Sequence, residues 1–146
     1  MGIHGEERVR AIAEAFAIAL DGNDFDTALT MLAPTCRYDR TGASHPSEGV
    51  LLGPATIVAS YRSHDDRARA VFDRVEYVSA VERVEGASAV IRFSDVLEKA
   101  GERHTYCCRQ RITVNASSLI ETIVHDDIPG EEAAVREFMA RVGVKP

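Results

Sequence analysis

Between Phe72 and Asp127 the chain holds four strand-length segments separated by turns of only two or three residues, which leaves little choice of fold. Phe72 to Val84, rich in Val and Tyr, runs to a turn at Glu85-Gly86, and Ala87 to Glu98 runs to a turn at Lys99-Ala100-Gly101. Arg103 to Val114 follows, then Asn115-Ala116-Ser117 and the last segment, Leu119 to Asp127. Turns this short join antiparallel neighbours, whereas a parallel pair needs a crossover of a dozen residues or more. A four-stranded meander is expected.

Helical spacing dominates elsewhere. From Glu6 to Leu20, Val9, Ile12, Phe16 and Leu20 recur on one face among helix-favouring alanines, and Asp21-Gly22-Asn23 ends the run. Asp24 can cap a short second helix with Phe25, Leu29 and Leu32 inward, and Pro34 forbids its continuation. Thr35 to Arg40 reads as a strand, and Thr41 to Gly49, with His45, as a loop. Gly53-Pro54 opens a third helix that sets Ile57, Tyr61 and His64 on one face. Glu131 to Val142 is amphipathic and stops at Gly143. Helices and strands are segregated along the chain, so the fold class is α+β rather than a wound parallel sheet. The 146 residues form one domain, 1–146.

Seventeen basic against 23 acidic residues leave a net charge of −6, which disfavours nucleic acid and anionic membranes as partners. No segment approaches a membrane span, and MGIHGEERVR lacks the apolar region of a signal peptide. Cys36, Cys107 and Cys108 are odd in number, and a bond between strand neighbours is badly strained, so reduced thiols are expected. The expected location is cytoplasmic.

Strand alternation sorts the candidate site residues. His104, Tyr106, Cys108, Gln110, Ile112 and Val114 form the buried row of their segment, opposite a polar row with Thr105, Arg109, Arg111 and Thr113. Ala89, Ile91, Phe93, Asp95 and Leu97 share a face that is apolar except for Asp95. On the last segment Ile123, His125 and Asp127 oppose Ile120, Thr122 and Val124, and alternation does not decide between them. A buried, unpaired amide or carboxyl costs a few kcal/mol, so each polar interruption needs a partner, a water or a ligand.

The element order and the segment LDGNDFDTALTMLAPTCRYD (Leu20 to Asp39) resemble the nuclear-transport-factor-2-like superfamily and its SnoaL-like branch. The similarity extends from about Glu6 to Asp127, with GPATIVASYR as the third helix. The resemblance implies a cone-like, strongly curved mixed or antiparallel sheet wrapped around N-terminal helices, with an apolar interior; here a C-terminal helix is added. Asp39 stands where ketosteroid isomerase has its general base and scytalone dehydratase an aspartate. Phe16 and Gln110 stand at the isomerase's oxyanion donors, and phenylalanine cannot donate a hydrogen bond. Asp95 and His125 stand at acids of limonene epoxide hydrolase, with Phe93 in place of its arginine.

These readings converge on a pocket for a small apolar organic molecule, with cofactor-free isomerase, dehydratase or cyclase chemistry. Asp39 is the expected base, its pKa raised by burial towards neutrality. Gln110 and Tyr106 are expected to hydrogen-bond an enolate oxygen, and His125 or His104 to shuttle the proton. Phe16, Tyr61, Phe93, Asp95 and Cys108 are expected to line the ligand. No cofactor or metal is expected, since the chain has no HExxH, no CxxC and no glycine-rich phosphate loop. The alternative is a binding or dimerisation module of the same fold without turnover. A homodimer paired through the outer row of Thr105, Arg109, Arg111 and Thr113 is expected.

Overall fold

A computed structural model describes residues 3–42 and 49–145. Of the expected loop, residues 43–48, His45 among them, lie outside the described residues. In chain order the elements are α1 (Ile3–Asp21), α2 (Phe25–Thr30), β1 (Leu32–Gly42), β2 (Val50–Leu52) and α3 (Pro54–Val71). Then come β3 (Arg74–Glu85), β4 (Ser88–Lys99), β5 (Glu102–Val114), β6 (Ile120–Asp127) and α4 (Glu131–Arg141).

The expected meander is present as β3 to β6. Between β4 and β5 the turn residues Ala100 and Gly101 both have positive φ, 52° and 77°, as a primed two-residue hairpin turn requires. The strand order is β2-β1-β6-β5-β4-β3, and β1 joins β6 in parallel, so the sheet is mixed. It is curved without closing, and the fold is an α+β cone with an extra C-terminal helix. Asp21, at the end of α1, accepts hydrogen bonds from the backbone N–H and hydroxyl of Ser79 on the edge strand β3 (2.8 and 2.5 Å). Helix α1 is thereby tied to the sheet edge it covers.

The structure departs from the sequence reading in three places. β1 starts at Leu32 rather than Thr35; Pro34 falls where the β1–β6 register shifts, so its missing N–H lies outside the regular ladder. The short edge strand β2 was not foreseen. Leu29, expected inward, is 38% exposed, because the six-residue α2 buries only Phe25 and Ala28.

Phe16 of α1, Ile57 of α3 and the sheet residues Ile91, Ile112, Ile120 and Ile123 are fully buried in one core. A second cluster of Val75, Leu97 and Phe138 sits beneath α4. Gly130, at φ 90°, precedes α4 in a backbone conformation that side-chain-bearing residues rarely adopt. Glu131 then accepts the Cys107 N–H of β5 (2.7 Å), just past the last β5–β6 pair, Cys108 with Asp127. On the outer face Arg109 pairs with Glu82 (2.6 Å) and Arg111 with Glu85 (3.6 Å). Among the described residues no helix is long and apolar enough to cross a membrane.

Candidate functional site

Register brings the inner side chains of β3 to β6 into rows. Tyr77 pairs with Asp95, and Asp95 with Tyr106; Phe93 pairs with Cys108, and Cys108 with Asp127; Ile91 pairs with Gln110, and Gln110 with His125. β1 adds Tyr38 and Arg40, α3 adds Tyr61, His64 and Asp65, and the end of α1 adds Leu20, Asp21 and Asn23. Together they enclose a cavity of about 250 Å³. Of the residues singled out by sequence, Gln110, Tyr106, His125, Tyr61, Phe93, Asp95 and Cys108 line it.

Two do not. Asp39 projects to the other side of β1, where its carboxylate accepts the backbone N–H (2.9 Å) and hydroxyl (2.6 Å) of Thr41. Those bonds hold its carboxyl below the usual carboxylate range, opposite to the expected rise. Its neighbour Tyr38, only 5% exposed, enters the cavity instead. Alternation allows one of the two inside, and the apolar partners of Tyr38 on its face decide which. Phe16 is fully buried behind the cavity wall, edge-on to Tyr61 with ring centroids 6.1 Å apart.

A directional hydrogen-bond chain crosses the cavity floor. The Tyr61 hydroxyl donates to Gln110 Oε1 (2.7 Å), and Gln110 Nε2 donates to the Tyr38 hydroxyl (2.9 Å). The two phenol rings stack at 5.5 Å. Burial raises the pKa of both phenols well above its ordinary value, so both are neutral O–H groups. Tyr38 accepts from Gln110 and also lies within hydrogen-bond reach of the Tyr61 hydroxyl, so the three groups form one network. Gln110 is 4% exposed, and this pairing across three elements satisfies its amide.

Beside the floor, His125 Nε2 lies 2.8 Å from Asp127 Oδ1 on the same strand, both largely buried. At the mouth, His64 Nε2 lies 3.0 Å from Asp95 Oδ2. That hydrogen bond outweighs desolvation and raises the His64 pKa above its ordinary value of 6.5. The protonated pair therefore contributes stability in full below pH 6.5, and loses it as pH rises through the raised value. An NMR titration is expected to give His64 a midpoint above 6.5, falling in Asp95→Asn; a midpoint at or below 6.5 in the wild type removes the pairing.

Asp65, 7% exposed, accepts from Tyr77 (2.6 Å), Arg69 (2.8 Å) and Asn23 (3.1 Å). Burial raises its pKa, but the three donors together outweigh it and hold the carboxyl below its ordinary value. Asn23 reaches Asp65 from a left-handed turn position, φ 56°, which asparagine tolerates. Cys108 is held as a thiol by burial and by the nearby Asp95 and Asp127 carboxylates, which removes it as a nucleophile. All three cysteines are free. Among the described residues no group of three or more His, Cys, Asp or Glu side chains could hold a metal ion.

Sequence reasoning missed Tyr38, Arg40, Asp65 and Tyr77 as cavity residues and placed His64 only on the Ile57–Tyr61 face of the third helix. The signal for Tyr38 was present, as it shares a face with the apolar Cys36. For Asp65 and His64 there was none, because their partners are brought together only by the packing of α3 on the sheet.

No protein-family model matches the chain, and no curated protein matches it. Solved structures do. An LEH-like epoxide hydrolase from M. tuberculosis superposes with a TM-score of 0.65 at 20% identity, covering 94% of this chain and 97% of that one. TerC, crystallised with polyporic acid, gives 0.68 at 13% identity, over 91% and 98%. A candidate ketosteroid isomerase from Kribbella flavida gives 0.60 at 18% identity, over 88% and 87%. Identities this low carry the fold and not the activity. The chain has the nuclear-transport-factor-2-like fold that its element order and its Leu20 to Asp39 segment resemble.

Proposed function

We propose that the cavity binds a small, largely apolar cyclic molecule through a carbonyl oxygen, and that the protein moves a proton on the carbon beside it. The observation that carries this reading is the Tyr61–Gln110–Tyr38 network, which holds a neutral Tyr38 hydroxyl at the cavity floor, where a ligand oxygen can compete for its proton. The ligand's oxygen accepts from Tyr38, where negative charge gathers as the enolate forms. His125, oriented by Asp127 and next to Gln110 in the register, is the base. The C–H bond breaks, its electron pair passes into the C=C–O⁻ system, and His125 gives the proton to a conjugated carbon in isomerisation, to the β-hydroxyl that leaves as water in dehydration, or to the carbonyl oxygen that the enolate carbon attacks in aldol-type cyclisation. The reaction class is cofactor-free isomerisation, dehydration or aldol-type cyclisation. Asp39 has no part in it.

One observation favours a second reading, a binding module without turnover. The polar groups on the floor already satisfy one another, and both histidines hold carboxylates. Deuterium exchange separates the two. Tetralone in D₂O is expected to exchange its α-protons faster with the protein than without it. The rate falls about 10²–10³-fold in Tyr38→Phe and about 10²–10⁴-fold in His125→Gln, and is unchanged in Asp39→Asn. Saturable binding without enhanced exchange leaves the second reading. The homodimer belongs to the same proposal: Val78, 58% exposed, and Val124, 36%, are apolar residues of the outer face. Light scattering on the same samples tests it, and a monomer removes it.

A further inference from the structure

The cavity has a neighbour. Beneath α4 lies a second space of about 230 Å³, walled by Ala68, Phe72, Leu97, Val135 and Met139. Four residues, His64, Asp95, Tyr106 and Glu132, line both spaces, so the two are separated only by shared side chains. Apart from those four its walls are apolar. A space of this size with apolar walls offers water few hydrogen-bond partners, and it is therefore suited to hydrocarbon.

The partition between the spaces is of a kind that can yield. His64 reaches across from α3 to Asp95 on β4, and its side chain is 54% exposed, so the imidazole can swing outward without crossing packed core. Asp95, at 15%, stays in the wall. The polar groups that would fix a carbonyl all lie on the first side of this pair, at the floor with Tyr38 and Gln110. The second space adds apolar wall from α3, β4 and α4. An occupant of both spaces is polar at one end and greasy at the other.

We propose that the space beneath α4 is a second compartment of the ligand site, and that the physiological ligand is a cyclic carbonyl compound with an apolar alkyl or aryl tail that passes the His64–Asp95 pair into it. This rests on the reading of the first cavity as a carbonyl-binding site and adds the substrate class. Tail length is then selected by the distance from the Tyr38 hydroxyl to the walls on α4, and α4 is a specificity element rather than a passive cover.

The probes are tetralone and its alkyl-substituted series from methyl to hexyl, with affinity measured by calorimetry on the full chain. Each methylene entering the compartment is expected to tighten binding about fourfold, until the space is filled and the gain stops. The readout is the ratio of the best alkyl compound to tetralone itself. Val135→Phe and, from the same helix, Met139→Phe fill the compartment and are expected to reduce that ratio to less than twofold; either variant suffices if the other fails to fold. A wild-type ratio near one, with tetralone bound, overturns this inference and leaves the first reading intact. A ratio that survives both filling variants also overturns it, because the tail then lies elsewhere. No binding of tetralone or of any of its alkyl derivatives overturns the first reading and this one with it.

Discussion

Replacing Gln110 by leucine is expected to lower the melting temperature by roughly 10 °C and to abolish carbonyl binding. Leucine is close to glutamine in size, so the effect does not come from a void. It comes from two phenols that lose their partner: Tyr61 its acceptor at 2.7 Å and Tyr38 its donor at 2.9 Å. A buried polar group left unmatched costs about 1–3 kcal/mol, and the two together come to about 3 kcal/mol where the cavity supplies little water. Gln110→Glu keeps an acceptor for both hydroxyls but buries a carboxyl at a 4% exposed position: Tyr38 then donates to the glutamate and has no proton left for the ligand, and stability falls as well. Thermal unfolding and calorimetry read the two effects. An unchanged melting temperature in Gln110→Leu would mean that the amide is not what holds the tyrosines.

The second large effect is expected at Phe138. Its ring is 1% exposed, stacked on His104 with centroids 5.2 Å apart and on Phe72 at 6.3 Å. Truncation of such a residue to alanine costs about 3–5 kcal/mol. What remains to hold α4 is the partly buried packing of Val135 and Val142, the Glu131 contact to the Cys107 N–H, and an exposed pair between Arg141 and Glu102 (2.9 Å), and exposed pairs contribute roughly 0–1 kcal/mol. Because α4 is the last element and packs mainly on β5, the loss appears first as local opening rather than global unfolding. Amide hydrogen exchange across Glu131 to Arg141 is expected to accelerate by more than 10²-fold, with the protection of β4 and β5 near Ile91 and Ile112 little changed. Equal protection of α4 in Phe138→Ala and wild type would show that the helix is anchored elsewhere.

Both effects fall on residues whose importance differs in how far it could be read in advance. Gln110 was visible as a polar interruption of an otherwise apolar row, and its row was assigned to the correct face. Its partners were not visible: Tyr61 is 49 residues away and Tyr38 is 72. The face of β6 was left open because both sides are apolar. The structure buries Ile120 and Ile123 together through a register shift between Thr113 and Val114, after which Ile123, His125 and Asp127 continue inward. On β1, with Asp39 placed inward by the resemblance, alternation turned Tyr38 away from the pocket; the structure has Tyr38 inside and the Asp39 carboxylate outside the cavity.

The sequence by itself determined the elements apart from β2 and the start of β1, the meander, the α+β class and the inward rows of β4 and β5, because turn length, capping and side-chain period act over a few residues. Tertiary structure alone decided which groups meet across the cavity, from the pairing of His64 with Asp95 and of Asp65 with Tyr77 to the exclusion of Asp39. Those contacts depend on how α3 and α4 seat against a curved sheet, and that seating is set by the packing of the whole core rather than by any local run of residues.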